Sequence, residues 1–184
     1  SNYDGISRAG LMGLETYHGN VLSEATEEDM DFSGLGRMLA MTRTDEANAL
    51  ACKHMEDAFS SRNVYQLPPN PRQPGVEGPS YYQLARLLFQ PDATYEHLDE
   101  MIAAGATVKQ TPITEQFDYA AFREQYPNDR IEMMMVNGSQ VQVAAVDQPL
   151  SIQPGWTLIS LLFETEAPIG ADNTPSREIH GSYS

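Results

Sequence analysis

The stretch Gly36-Arg37-Met38-Leu39-Ala40-Met41-Thr42-Arg43-Thr44-Asp45-Glu46-Ala47-Asn48-Ala49-Leu50-Ala51 decides how this chain is expected to fold. It opens on a four-residue apolar run, residues 38–41, too short for a helix and suited to a strand buried on both faces. Thr42 and Thr44 then offer hydroxyls that can cap a helix, and Ala47, Leu50, Ala51, His54 and Ala58 recur at helical spacing. A buried strand feeding a capped helix is the unit of an open parallel sheet. Such sheets bind ligands at the carboxyl ends of their strands, which is where Thr42, Thr44, Asp45 and Asn48 fall. Plain capping chemistry accounts for the same residues from spacing alone.

Composition narrows the partners. The 184 residues carry 26 acidic against 11 basic side chains, a formal charge of -15. Long-range attraction to nucleic acid or to an anionic membrane surface would have the wrong sign. Glu24, Glu27, Glu28, Asp29 and Asp31 cluster, but without the glycine turn and ligand spacing of a calcium loop they read as a solvated helix face. The single cysteine, Cys52, excludes an internal disulfide framework and a multi-cysteine zinc site, and on the predicted helix it reads as a small buried residue. No apolar run approaches the roughly 20 residues of a membrane helix, so the chain as given is expected to be soluble. No basic segment followed by an apolar one marks a signal peptide. Ser1-Asn2 without a Met is expected to be a cloning remnant, with the biological chain extending upstream.

Outward from the anchor, residues 5–13 read as the end of a helix stopped at Gly13, and residues 14–17 as a short strand tipped by His18-Gly19-Asn20. Glycine there lets a ligand approach the backbone, and His18 and Asn20 can hydrogen-bond an adenine or ribose edge; without further context an ordinary turn is the favoured reading. Residues 25–35 predict an acidic amphipathic helix or turn with Met30, Phe32 and Leu35 inward. Residues 63–67 give a third short strand. Residues 68–80 hold five prolines and two glycines, a composition that places a linker there.

Beyond the linker, residues 81–89 fit either a helix or a buried strand. Residues 94–104 predict a helix with Tyr95, Leu98, Met101 and Ile102 on one face and Gly105 as the stop. Pro112 makes residues 108–114 an edge strand, and residues 117–126 a short helix capped by Asp118. Two alternating runs, residues 130–136 and 140–146, flank Asn137-Gly138, the pair favoured by a type I′ hairpin turn. Pro154-Gly155 then turns the chain into a last strand over residues 156–163. Met133 to Met135 read as core filling on a strand, and residues 166–184 as a polar flexible tail.

His18-Gly19-Asn20 together with residues 34–48 resembles the later part of the nucleotide-binding RCK (TrkA-N) domain. More narrowly it is similar to the version fused to bacterial sodium/proton antiporters of the cation:proton antiporter class. Residues after the linker are similar in outline to the companion TrkA-C domain, and the likeness covers about residues 5–69 and 93–163. It implies an α/β fold, with a partial Rossmann-like parallel sheet in residues 3–69, a connecting segment 70–92 and a smaller α+β TrkA-C-like domain with a β-hairpin in residues 93–165. By that likeness Gly19, Asn20, Thr42, Asp45 and Asn48 would face an adenine nucleotide or NAD(H), the protein would be a homodimer, and it would be the soluble part of an integral membrane protein on the cytoplasmic face of the inner membrane. Two features depart from the family. The Gly-x-Gly-x-x-Gly phosphate loop is absent from this chain, so nucleotide affinity is expected to be weak or nil, and Trp156 stands where the family usually has aspartate.

No catalytic constellation emerges. His18, His54, His97 and His180 show no zinc-like spacing, and no serine sits in a nucleophile elbow. The expectation is therefore a non-enzymatic regulatory domain of a cation/proton antiporter, with a docking module that binds no ligand as the rival.

Overall fold

The computed structural model describes residues 35–71 and 85–164. The readings for residues 1–34, among them Gly19 and Asn20, and for residues 72–84 and 165–184 lie outside the described residues. Within them the chain is mixed α/β, with one parallel and one antiparallel sheet.

The anchor stretch forms a strand and then a helix. β1 (Met38–Ala40) leads into α1 (Asp45–His54), and a short α2 (Glu56–Phe59) and a 3-10 turn (Ser61–Asn63) return the chain to β2 (Val64–Gln66). β1 and β2 are parallel, with Met38 opposite Val64. β3 (Arg86–Leu87) extends the sheet in chain order, again parallel, with Tyr65 opposite Arg86. The segment that fitted either a helix or a strand thus ends as a strand, two residues long, continued by a bridge at Leu88.

The buried face of α1 differs from the expected one. Of the expected positions Ala51 is buried, but Leu50 is 45% exposed and Ala58 is exposed, whereas Asp45, Asn48, Ala49 and Cys52 also turn inward. Those four positions obey the i, i+3, i+4, i+7 rule, but two of them are polar. A search for an apolar stripe passes over them because their burial depends on partners outside the helix. Thr44 takes the N-cap position, yet its side chain makes no capping bond. Cys52, Met55, Phe59, Ala40 and Val64 close a small cluster beneath the helix. Leu35, expected inward, is exposed.

α3 (Tyr95–Ala103) begins as its sequence predicts, with Thr94 Oγ1 accepting from the His97 N–H at 3.2 Å. Gly105, at φ +100°, ends it in a conformation that favours glycine. Leu98 and Met101 are buried, but Ile102 is 58% exposed, so the apolar stripe is narrower than expected. α4 (Tyr119–Gln125) is capped by Asp118, whose Oδ1 accepts from the Ala121 N–H at 2.9 Å.

The second sheet runs β4 (Thr107–Pro112), β7 (Thr157–Leu162), β5 (Arg130–Asn137), β6 (Gln140–Val143), every neighbouring pair antiparallel. Pro112 sits on an edge strand as expected. The hairpin forms, but Asn137 pairs with Gln140, so its turn residues are Gly138 and Ser139 rather than Asn137 and Gly138. Gly138 has φ +58° and Ser139 does not share the positive sign, the pattern of a type II′ turn instead of type I′. One extra β5 residue, Met133, bulges between the Glu132 and Met134 pairings with β7.

Alternation along β7 splits the packing. Leu158 and Leu162 join Met135, Ile113, Tyr126 and Phe122 of α4 on one face. Leu161 faces the other way, where it shares a core with Ile131, Val143, Leu98 and Met101. Tyr65, Leu67, Leu88 and Phe89 belong to that same core, which therefore runs across the expected linker. Backbone bonds reinforce the junction: the Phe89 N–H donates to Ala144 O at 2.8 Å and the Val146 N–H to Leu87 O at 2.9 Å. β3 and its extension are thus bonded to β2 on one side and to residues 144–146 on the other.

Candidate functional site at the strand ends

Just past the carboxyl end of β1, Thr42 and Asn48 bond each other, and Asp45 opens α1. Asn48, 1% exposed, clasps Thr42. Its Oδ1 accepts from the Thr42 N–H at 2.9 Å and from Thr42 Oγ1 at 2.7 Å, while its Nδ2 donates to Thr42 O at 2.9 Å. A carboxamide is the side chain that can accept and donate at once, so Asn48 satisfies a backbone that has left the sheet and not yet entered the helix.

Asp45, 8% exposed, reaches the other way. Its Oδ2 accepts from the Asn70 N–H at 3.0 Å, tying the helix start to the segment that follows β2. Burial pushes its carboxyl above the ordinary carboxylate range; the Asn70 bond works against that rise, and Glu96 and Glu46 add to it. α3 closes the group from the side. Arg43 lies over the Tyr95 ring at 5.3 Å and pairs with Asp99 at 3.6 Å, an exposed contact of small energetic weight.

Beside Asn70 a cleft of about 330 Å³ opens between the segments following β2 and β3 and the first turns of α3. Asn70, Asp92, Thr94, Glu96, His97 and Glu100 are among its lining residues. The sequence reading reached none of these six as a group, because Asn70 meets the segment 92–100 only in the fold. The local signals were the predicted helix start at Thr94 and the proline-rich surroundings of Asn70.

The chemistry follows from charge. Carboxylates of Asp92, Glu96 and Glu100 oppose a phosphate at this cleft and favour a neutral or cationic group. Among the described residues no three His, Cys, Asp or Glu side chains form a group that could hold a metal ion. Cys52 is no nucleophile here: it is buried, burial pushes its thiol up to about 12, and its Sγ donates to Tyr65 O at 3.3 Å. Trp156 is half-buried against the α4 cluster, away from these strand ends. No described helix is long and apolar enough to cross a membrane. Comparisons with protein-family models, with curated proteins and with solved structures return no match.

Proposed function

We propose that this chain is the cytosolic regulatory region of a membrane sodium (cation)/proton antiporter, acting through ligand sensing at the strand ends and through dimerisation. The supporting observation is the parallel sheet in chain order, β1-β2-β3, with Thr42, Asp45 and Asn48 just past the carboxyl end of β1. In a doubly wound nucleotide fold with strand order 3-2-1-4-5-6, the last three strands are neighbours in chain order and run parallel, as these three do. The likeness of residues 18–20 and 34–48 to the RCK domain adds the transporter context. A ligand regulates by binding one conformation of the attached transport unit better than another.

A second reading, a docking module without a ligand, is favoured by one specific feature. Asn48 already bonds Thr42, one oxygen of Asp45 already accepts from Asn70, and Glu96 and Glu46 act on Asp45. Calorimetry separates the two. ATP, ADP, AMP, NAD, NADH and cyclic di-AMP are titrated into this chain and into one extended upstream to include a glycine-rich phosphate loop. Saturable binding that Asp45→Ala abolishes supports sensing; no binding by the extended chain supports docking. Light scattering tests self-association, and a stable monomer at micromolar concentration counts against the dimer in either reading.

A further inference from the structure

A separate cleft, of about 470 Å³, opens between α4 and the start of β5, and we infer that it binds a small zwitterion of the aminocarboxylate class. The chain is strongly acidic, with 11 basic side chains against 26 acidic ones, yet two guanidiniums, Arg123 and Arg130, line this one cleft. Their states differ in a way that defines the ligand.

Arg130 is fixed. Its side chain is 17% exposed, its Nε donates to Glu132 Oε1 at 3.2 Å and its Nη1 to Tyr126 O at 3.1 Å. Glu132 is answered twice, since Tyr119 Oη also donates to its Oε1 at 2.7 Å. Burial and that carboxylate push the Tyr119 phenol up, so it stays protonated as a donor. The pair and the phenol form a neutral wall, with Arg130 held by Glu132, by Tyr126 O and by the Tyr119 phenol.

Arg123 and Asp129 are the groups left over. Arg123 lies over the Tyr119 ring at 5.9 Å, and among the described residues it has no carboxylate partner. Asp129 lines the same cleft with no basic partner among them. Both are exposed, and they do not pair with each other. A cleft whose wall is neutral and whose two unpaired groups carry opposite charge complements a ligand that carries both signs. The carboxylate of such a ligand matches the planar fork of Arg123, and its ammonium matches Asp129. A polyanion would meet Asp129 and Glu132, and a simple cation would meet both arginines.

Nuclear magnetic resonance tests the assignment on the 184-residue chain, titrated in parallel with glycine, acetate and methylammonium at matched concentrations. Glycine is expected to saturate and to shift the backbone signals of Tyr119, Arg123, Asn128, Asp129 and Arg130, with both single-charge probes weaker. Arg123→Ala and Asp129→Asn, exposed positions whose substitution leaves the core untouched, should each weaken glycine binding about tenfold, the loss of one charge-assisted hydrogen bond. Absence of saturable shifts at these residues overturns the proposal. So does acetate binding as tightly as glycine with Asp129→Asn silent, which would mark a plain anion site.

Discussion

At the scale of single residues, two polar side chains carry the β1 end of the molecule. Asn48 makes three bonds to one residue, and its removal leaves the Thr42 N–H and C=O to whatever water reaches them. Asn48→Ala should cost about 1–3 kcal/mol in urea denaturation. Asn48→Asp should not recover this loss, because a carboxylate cannot donate to Thr42 O. Asp45 behaves differently. Its folded-state carboxyl lies above the ordinary value of 3.8, so folding disfavours the ionised form. Its contribution is fully present below 3.8 and is lost as pH rises through the raised folded value. Asp45→Asn keeps the acceptor for the Asn70 N–H and removes the charge. Its urea midpoint should exceed that of the parent at pH 7, and the gain should vanish below pH 3.8. A parent-like midpoint at every pH would mean that the carboxylate is better solvated than its burial implies.

Elements show how the same chemistry protects and strains the sheets. β4 is an edge strand, and it carries Pro112 and Lys109, both of which discourage pairing with another chain's edge. Lys109 is also held in place, by Glu164 at 3.1 Å and over the Tyr126 ring at 5.3 Å. A dimer of this protein should therefore form through another surface. On β7, Ser160 is 0% exposed, stands between Leu158 and Leu162 on the α4 face, and its Oγ has no hydrogen-bond partner among the described residues. An unmet buried hydroxyl is a cost, so Ser160→Ala should leave stability unchanged or raise it by about 1 kcal/mol, read as a higher thermal midpoint.

For the whole molecule the decisive feature is that β3 and its extension tie the parallel sheet to the segment that follows β6. Arg86 strengthens this joint from the surface. Its guanidinium forks onto Asp147 at 3.0 to 3.2 Å, donates to Gln148 Oε1 at 2.8 Å and lies over the Tyr65 ring at 5.3 Å. The fork holds the Asp147 carboxyl below its ordinary range, so this pair's contribution is present above pH 3.8 and lost as pH falls through the lowered value. With one core under the junction, both sheets should unfold together. Fluorescence of Trp156, the only tryptophan, and far-ultraviolet circular dichroism should give coincident midpoints. Arg86→Ala should lower both equally, by about 1 kcal/mol given that Asp147 is largely exposed. Separate midpoints would show that the two sheets are independent units.

The sequence by itself determined what neighbours along the chain can settle. The strand and helix of residues 38–54, the helix that starts near Thr94, the cap Asp118, the stop at Gly105, the edge strand marked by Pro112 and the hairpin were all legible, because each depends on contacts within a few residues. Tertiary structure decided what depends on partners from distant segments. Asn70 holds the buried Asp45 carboxylate, β2 gave residues 86–87 the pairing that made them strand, and the cleft lining joins Asn70 to residues 92–100. A buried polar residue looks like a surface residue in one dimension, and only the group that answers its hydrogen bond distinguishes the two.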